Sequence, residues 1–280
     1  MTITFLGTGT SQGVPVIACP CQVCHSDDHR DKRLRTSALI TDVANTNVLI
    51  DIGPDFRAQM LFHNVTHLDA VLITHAHRDH VGGIDDIRPF NWIQHSSMDV
   101  YANRDAVSSL KHDYHYIFEK HIYPGLPEVN LHDISKCEPF LIGQLLITPI
   151  RGMHKDLPVL GYRIEEQSRG ALAYITDMNA LHPEEKTKLC NLELLVINSL
   201  RKAKHFSHFC LEESLAVISD CKPRKAYLTH LSHEMGLYEE VESSLPANVH
   251  LAYDNLKIEI KENHLTASQF YQPLIFFTIH

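Results

Sequence analysis

Short apolar and β-branched runs recur along the chain, and most end in a histidine, an aspartate or a glycine turn. Residues 2–6 alternate polar and apolar positions as a half-buried strand does, and the turn Gly7-Thr8-Gly9 follows. No Lys-Ser/Thr pair follows these glycines, so they read as a structural turn rather than a nucleotide cradle. Residues 36–41 and 47–51 predict two strands around the turn-prone stretch 42–47. Apolar runs at 71–74, 145–150, 171–176, 192–197 and 225–229 predict further strands. Phe56, Met60 and Leu61, and later Leu211, Leu215 and Ile218, recur at helical spacing. Residues 249–253 and 257–260 are expected to close the body as a hairpin about Asp254-Asn255, a favourable turn pair.

The strand at 71–74 runs directly into His75-Ala-His77-Arg-Asp79-His80 and then Gly82-Gly83, which lets the backbone pack closely against its neighbour. Three histidines and an aspartate crowded at one strand end would repel one another if protonated and unpaired. A bound cation is the economical explanation. A second cluster, Cys19-Pro-Cys21-Gln-Val-Cys24, places three thiols within reach of one tetrahedral ion, and thiolates are what a structural zinc prefers. A fourth ligand is needed there: His25 is adjacent but awkwardly close, and His233 is distant in sequence.

The pattern His-x-His-x-Asp-His resembles the signature of the metallo-β-lactamase superfamily at every ligand position. That resemblance implies a four-layer αββα sandwich over residues 1–264, with two mixed sheets face to face and helices outside. It implies that His75 and His77 serve one metal together with His154, and that Asp79, His80 and His230 serve a second. Asp177 would bridge the two, and Asp51 would orient the histidine loop without binding metal. The Cys-x-Cys-x-x-Cys insert at 18–35 is similar to that of the phosphoribosyl cyclic phosphate phosphodiesterases, and this likeness selects His233 as the fourth zinc ligand. It also implies that His208 and Asp79 act in catalysis, with His208, or else its neighbour His205, assisting the leaving group. The function implied is that of a dinuclear, zinc- or manganese-dependent hydrolase cleaving a small or cyclic phosphodiester through a hydroxide held between the ions. A tRNA 3′-end endonuclease and a thioesterase or lactonase are the alternatives on the same ligands.

Composition narrows this picture. The 280 residues suffice for one well-buried body, and 44% hydrophobic with 21% charged residues is ordinary for a globular protein. A net charge of −9 argues against broad nucleic-acid binding, although a basic rim would still suit a phosphate-bearing substrate. The 21 histidines exceed any structural need and favour metal, while seven cysteines, an odd number, make a poor disulfide set. With no signal segment and no run long enough for a membrane span, a cytoplasmic protein is expected.

Arg33 and Arg35, in the charged stretch 27–35, are candidates either for a substrate phosphate or for plain solvation. Trp92, Tyr101, Tyr114, His115, Tyr116 and Tyr123 fall in the stretch 84–145, where the superfamily resemblance implies substrate specificity; Tyr114-His115-Tyr116 reads as a pocket lining or as surface packing. The apolar tail 265–280, with Leu274-Ile-Phe-Phe277, suggests cover for a sheet edge or for a homodimer partner.

Overall fold

The computed structural model describes residues 1–119, 125–167 and 169–261; the expectations for Tyr123 and for the tail 265–280 lie outside the described residues. One sheet collects β1 (Thr2–Gly7), β2 (Ser37–Thr41), β3 (Asn47–Ile50), β4 (Ala70–Leu72), β5 (Met98–Ala102) and β6 (Val129–Asp133). The second collects β7 (Phe140–Ile142), β8 (Leu145–His154), β9 (Leu157–Glu166), β10 (Ala171–Ile175), β11 (Ala180–Leu181), β12 (Leu192–Asn198), β13 (Lys225–Thr229) and β14 (Val249–Leu251). The last strand, β15 (Lys257–Glu259), crosses back to the first sheet, whose order is β15-β1-β2-β3-β4-β5-β6; the second runs β11-β8-β9-β10-β12-β13-β14, with β7 beside β8.

Strand periodicity explains the layers. In β4 Ala70 and Leu72 face the core between the sheets, where Phe5, Ile50, Tyr162, Tyr174 and Tyr227 also pack. Val71, between them, faces the opposite way onto Phe56, Met60 and Phe90, which lie on the helices Phe56–Phe62 and Arg88–Gln94. Likewise Leu194 and Val196 of β12 face inward, while Leu195 and Ile197 pack with Ile218 and Val241. The latter two belong to the helices Leu211–Cys221 and Tyr238–Glu242. Strands covered on both faces read as continuous apolar runs, which is why 192–197 is so hydrophobic. This is the expected αββα sandwich. Among the described residues no helix is long and apolar enough to cross a membrane.

The C-terminal end is not a hairpin. Residues 249–251 pair in parallel with β13 in the second sheet, and residues 257–259 pair antiparallel with β1 in the first. Asp254-Asn255 does turn the chain, with Asn255 at φ 73°, but it carries the backbone from one sheet to the other.

Candidate metal centre

Parallel pairing brings the strand ends to one edge. Strands β3, β4 and β5 run parallel in the first sheet, and β10, β12 and β13 in the second, so the loops after β3, β4, β10 and β13 open together. Ligands gather outside the carboxyl ends of such strands. Asp51, Asp177 and His230 all follow a strand end with left-handed backbone, at φ 61°, 54° and 55°. Each such residue costs about 1–2 kcal/mol, and the turn swings its side chain into the cleft. β8 ends at the same edge with His154, which pairs with Leu157 across the hairpin to β9.

The histidines form a continuous ring cluster. His75 lies 4.5 Å from His77, 4.3 Å from His80 and 5.6 Å from His154, measured between ring centres, and His77 lies 5.2 Å from His154. On the other side His80 Nε2 is 3.2 Å from Asp79 Oδ2 and 3.3 Å from Asp177 Oδ2, which is itself 3.0 Å from His230 Nδ1. Asp177 belongs to two ligand-competent groups, one with His75 and His80 and one with His154 and His208, whose donor atoms lie within 4.8 Å of one another. His208 Nδ1 sits 3.8 Å from Asp177 Oδ1. His205 stands one ring further out, 5.2 Å from His208, so of the two loop candidates His208 is the one that reaches the cluster.

Electrostatics fit a cation at this point. Burial alone would neutralise Asp177, yet His230 and His80 hold its carboxyl well below the usual range. Burial likewise raises Asp79, and the adjacent His80 overrides it and keeps it ionised. Burial opposes charge on His80, but Asp177, Asp51 and Asp79 more than offset this and raise its proton affinity well above the ordinary value. His75 is pushed the other way, by burial and then by His80. A proton on His80 thus balances a negative pocket. Among the described residues the buried His208 Nδ1 makes no hydrogen bond, and neither does His80 Nε2, which only faces the Asp79 and Asp177 carboxylates; buried nitrogens left so are suited to binding a metal. Imidazole nitrogens and carboxylate oxygens are a donor set suited to zinc or manganese.

Supporting residues fix these donors. His80 Nδ1 bonds Asp51 Oδ2 at 2.6 Å, and the Asp51 carboxylate also accepts the Thr74 N–H and hydroxyl at 2.8 and 2.9 Å. His154 Nδ1 is 2.9 Å from the Ser207 carbonyl. Thr36, whose hydroxyl donates to Gly9, lies 3.2 Å from His230 Nδ1, so the turn after β1 does border this edge. Asn198 escapes sequence reading: buried at the end of β12, it clamps Met178 through both backbone groups at 3.0 and 2.9 Å and so holds the Asp177 turn. The available signal was a lone amide closing an apolar run.

The cysteines converge as well. Cys19 Sγ and Cys21 Sγ each lie 3.3 Å from His233 Nδ1, and the donor atoms of Cys19, Cys21, Cys24 and His233 lie within 4.8 Å of one another. His25 instead turns to the Cys21 carbonyl on the exposed side. Because His233 follows His230 by three residues, this cluster fastens the insert to the loop that ends β13.

The structure also decides between readings that the sequence leaves open. Arg33 is buried, bonding the Thr8 hydroxyl at 2.8 Å and the Ala252 carbonyl at 2.6 Å, so it meets neither solvent nor substrate. Arg35 pairs with Asp55 at 2.9 Å. Tyr114 is buried with its hydroxyl on the Val81 carbonyl, and Tyr116 bonds Asp85, so both pack beneath the histidine loop.

Comparison with known proteins agrees with this geometry. The β-lactamase superfamily domain matches residues 46–231. An octanoyltransferase of Porphyromonas gingivalis is 42% identical over 271 residues, 96% of this chain; the chain spans about half of that protein's length, 54%. The crystal structure of a diphosphatase from the PhnP family superposes with a TM-score of 0.84 at 35% identity, covering 93% of this chain and 98% of its own. Zinc-bound PqqB from Methylobacterium extorquens shares the fold, with a TM-score of 0.74 at 18% identity over 92% of this chain and 100% of its own. By its domain match, and by a likeness to the PhnP diphosphatase that runs nearly end to end, the chain belongs to the metallo-β-lactamase superfamily and, within it, to the PhnP family.

Proposed function

We propose that the chain hydrolyses small phosphodiesters, diphosphate linkages included, with two divalent ions, zinc or manganese, in the His/Asp cluster and one structural zinc in the cysteine cluster. The observation that carries this reading is the position of Asp177, whose Oδ2 faces His80 and His230 while its Oδ1 faces His208. One carboxylate turned toward two groups of donors suits a pair of ions. In this arrangement His75, His77 and His154 would hold the first ion, Asp79, His80 and His230 would hold the second, and Asp177 would serve both. Bound ions of this kind supply a nucleophile at neutral pH and neutralise charge on the attacked and leaving oxygens.

The remaining work falls to the chain's own residues. Asp51 orients His80, and the Ser207 carbonyl orients His154, so neither ring needs to reorganise. His208 is held between His154 and His230, at ring distances of 4.5 and 4.9 Å, and only 11% of its side chain is exposed. Burial pushes its imidazole down to about 3, so it is uncharged before substrate arrives. A neutral ring donates a hydrogen bond to an oxygen on phosphorus and offsets the charge that develops there. The similar PhnP diphosphatase, by its name, acts on a phosphate linkage, which supports this class.

The longer octanoyltransferase relative makes acyl transfer the reading to test against. Bis(p-nitrophenyl) phosphate and an S-octanoyl thioester, offered to the same metal-loaded preparation, separate the two. Diester turnover is expected, abolished by His75→Ala and lowered roughly 100-fold by His208→Ala, the loss of one hydrogen bond to the charge developing on phosphorus oxygens. Thioester cleavage without diester cleavage would overturn the proposal.

A further inference from the structure

The metal cleft continues outward as a row of rings. His154 lies 4.5 Å from His208, His208 lies 5.2 Å from His205, and His205 lies 4.4 Å from Phe206 in a tilted stack. His154, His208 and His205 are half-buried, and the row ends at Phe206, which is 69% exposed. Single exposed apolar side chains are common and need no explanation. This one is different because its backbone is tied to the cleft. The Asn179 amide donates to the Phe206 carbonyl at 3.2 Å and accepts the Lys155 N–H at 2.8 Å, and the Asn179 N–H bonds the Met153 carbonyl at 2.9 Å. One side chain, two residues after Asp177, therefore clasps the loop that bears His208 to the hairpin that bears His154.

The clasp also places a charge. Lys155 sits at φ 56°, a left-handed conformation that a lysine adopts only at a cost, and its ammonium lies 5.8 Å from the centre of the Phe206 ring. Its own carboxylate neighbour, Asp156, is 3.7 Å away and 90% exposed, so that pairing is weak. An exposed flat ring with a cation beside it, at the outer end of a phosphate-directed cleft, has the form of a base-stacking platform.

We infer that Phe206, backed by His205 and flanked by Lys155, stacks the base of a nucleotidyl substrate. The substrate class is then nucleotidyl diesters and diphosphates rather than bare sugar or alkyl phosphates. This inference rests on the phosphodiesterase reading above. Stacking of a base on an aromatic side chain is worth roughly 5- to 100-fold in binding, and the Lys155 ammonium neutralises phosphate charge not engaged at the metal edge.

Two esters with the same leaving group test it: thymidine 5′-(p-nitrophenyl) phosphate and methyl p-nitrophenyl phosphate, compared by kcat/KM in metal-loaded protein of verified metal content. The wild type is expected to prefer the thymidylyl ester by at least about tenfold. Phe206→Ala should bring that ratio close to one through KM, and Phe206→Trp should keep it. No preference in the wild type, or a ratio that Phe206→Ala leaves in place, overturns the platform while the diesterase reading stands. If neither ester is turned over, the diesterase reading fails and the platform fails with it.

Discussion

Asp51 and His80 meet at 2.6 Å as a fully buried pair, joining the end of β3 to the helical turn that closes the His-x-His-x-Asp-His motif. The contact fixes which nitrogen of His80 is free, since Nδ1 is committed to Asp51 and Nε2 faces Asp79 and Asp177. Asp51→Asn keeps the size of the side chain and tolerates the left-handed backbone. It removes the charge that holds the His80 ring. Metal affinity should fall about 10- to 100-fold, read by competition with a calibrated chelator, while the circular dichroism spectrum is retained. Unchanged affinity would remove Asp51 from the account.

The same pair predicts proton release. In the metal-free protein Asp177, Asp51 and Asp79 outweigh burial and hold the His80 proton at neutral pH. A metal requires the neutral ring and must displace that proton. The sign follows: affinity rises with pH until the raised pKa of His80 is passed and then levels off. In protein whose cysteine site is already filled, calorimetry at pH 7 in buffers of different ionisation enthalpy should show about one proton released as the His/Asp cluster fills. Binding without proton release would contradict the charge assignment.

Close backbone approach predicts a steric failure. A Cβ on Gly53 would lie 2.1 Å from the Asp79 carbonyl oxygen, and one on Gly83 would lie 2.3 Å from that of Gly53. Gly83→Ala therefore forces the histidine turn away from β3. Overpacking of this kind costs roughly 1–3 kcal/mol, and here it also displaces ligands. A lowered melting temperature with lost metal is expected, and a fully loaded, equally stable variant would show that the approach is dispensable.

The cysteine cluster should behave as a separate unit. Removing the His233 imidazole by His233→Ala is expected to lose one metal ion per chain and several degrees of melting temperature, because Val14, Val23 and Leu237 pack around Cys24. In metal-stripped protein the Cys24 N–H and then His233 draw the Cys21 thiol down to about 6, whereas burial pushes Cys24 up to about 11. A lowered thiol pKa means that thiolate accumulates above that value. Iodoacetamide at pH 7 should thus label Cys21 well before Cys24, as mapped by peptide mass. Prior labelling of Cys24 would refute this order.

The residues gathered in the His/Asp cluster stand at or just after the ends of apolar runs, but it is the resemblance to the metallo-β-lactamase superfamily that marks them as one set. The layering was legible for the same reason. What sequence could not show was which distant segment each end would meet. Asp254-Asn255 reads correctly as a turn, but turn chemistry does not say which sheet the next strand joins. Arg33 looks like one charge in a charged stretch, yet its acceptor is the Ala252 carbonyl, 219 positions away, and long-range contact overrides local polarity. Tyr114 and Tyr116 carry no local sign that the histidine turn sits above them. Asn179, the clasp between Lys155 and Phe206, is an ordinary loop amide until the two loops are placed together.

The central claim is that diester cleavage depends on ions held by this His/Asp cluster. Adding zinc or manganese stepwise to fully stripped protein, with bound metal counted and bis(p-nitrophenyl) phosphate turnover followed at each step, tests it most directly. The account predicts no turnover without metal, activity that rises as the His/Asp cluster fills, and a plateau at about three ions per chain, the third belonging to the cysteine site. Turnover that persists in stripped protein, or that saturates with the cysteine site alone occupied, would contradict it.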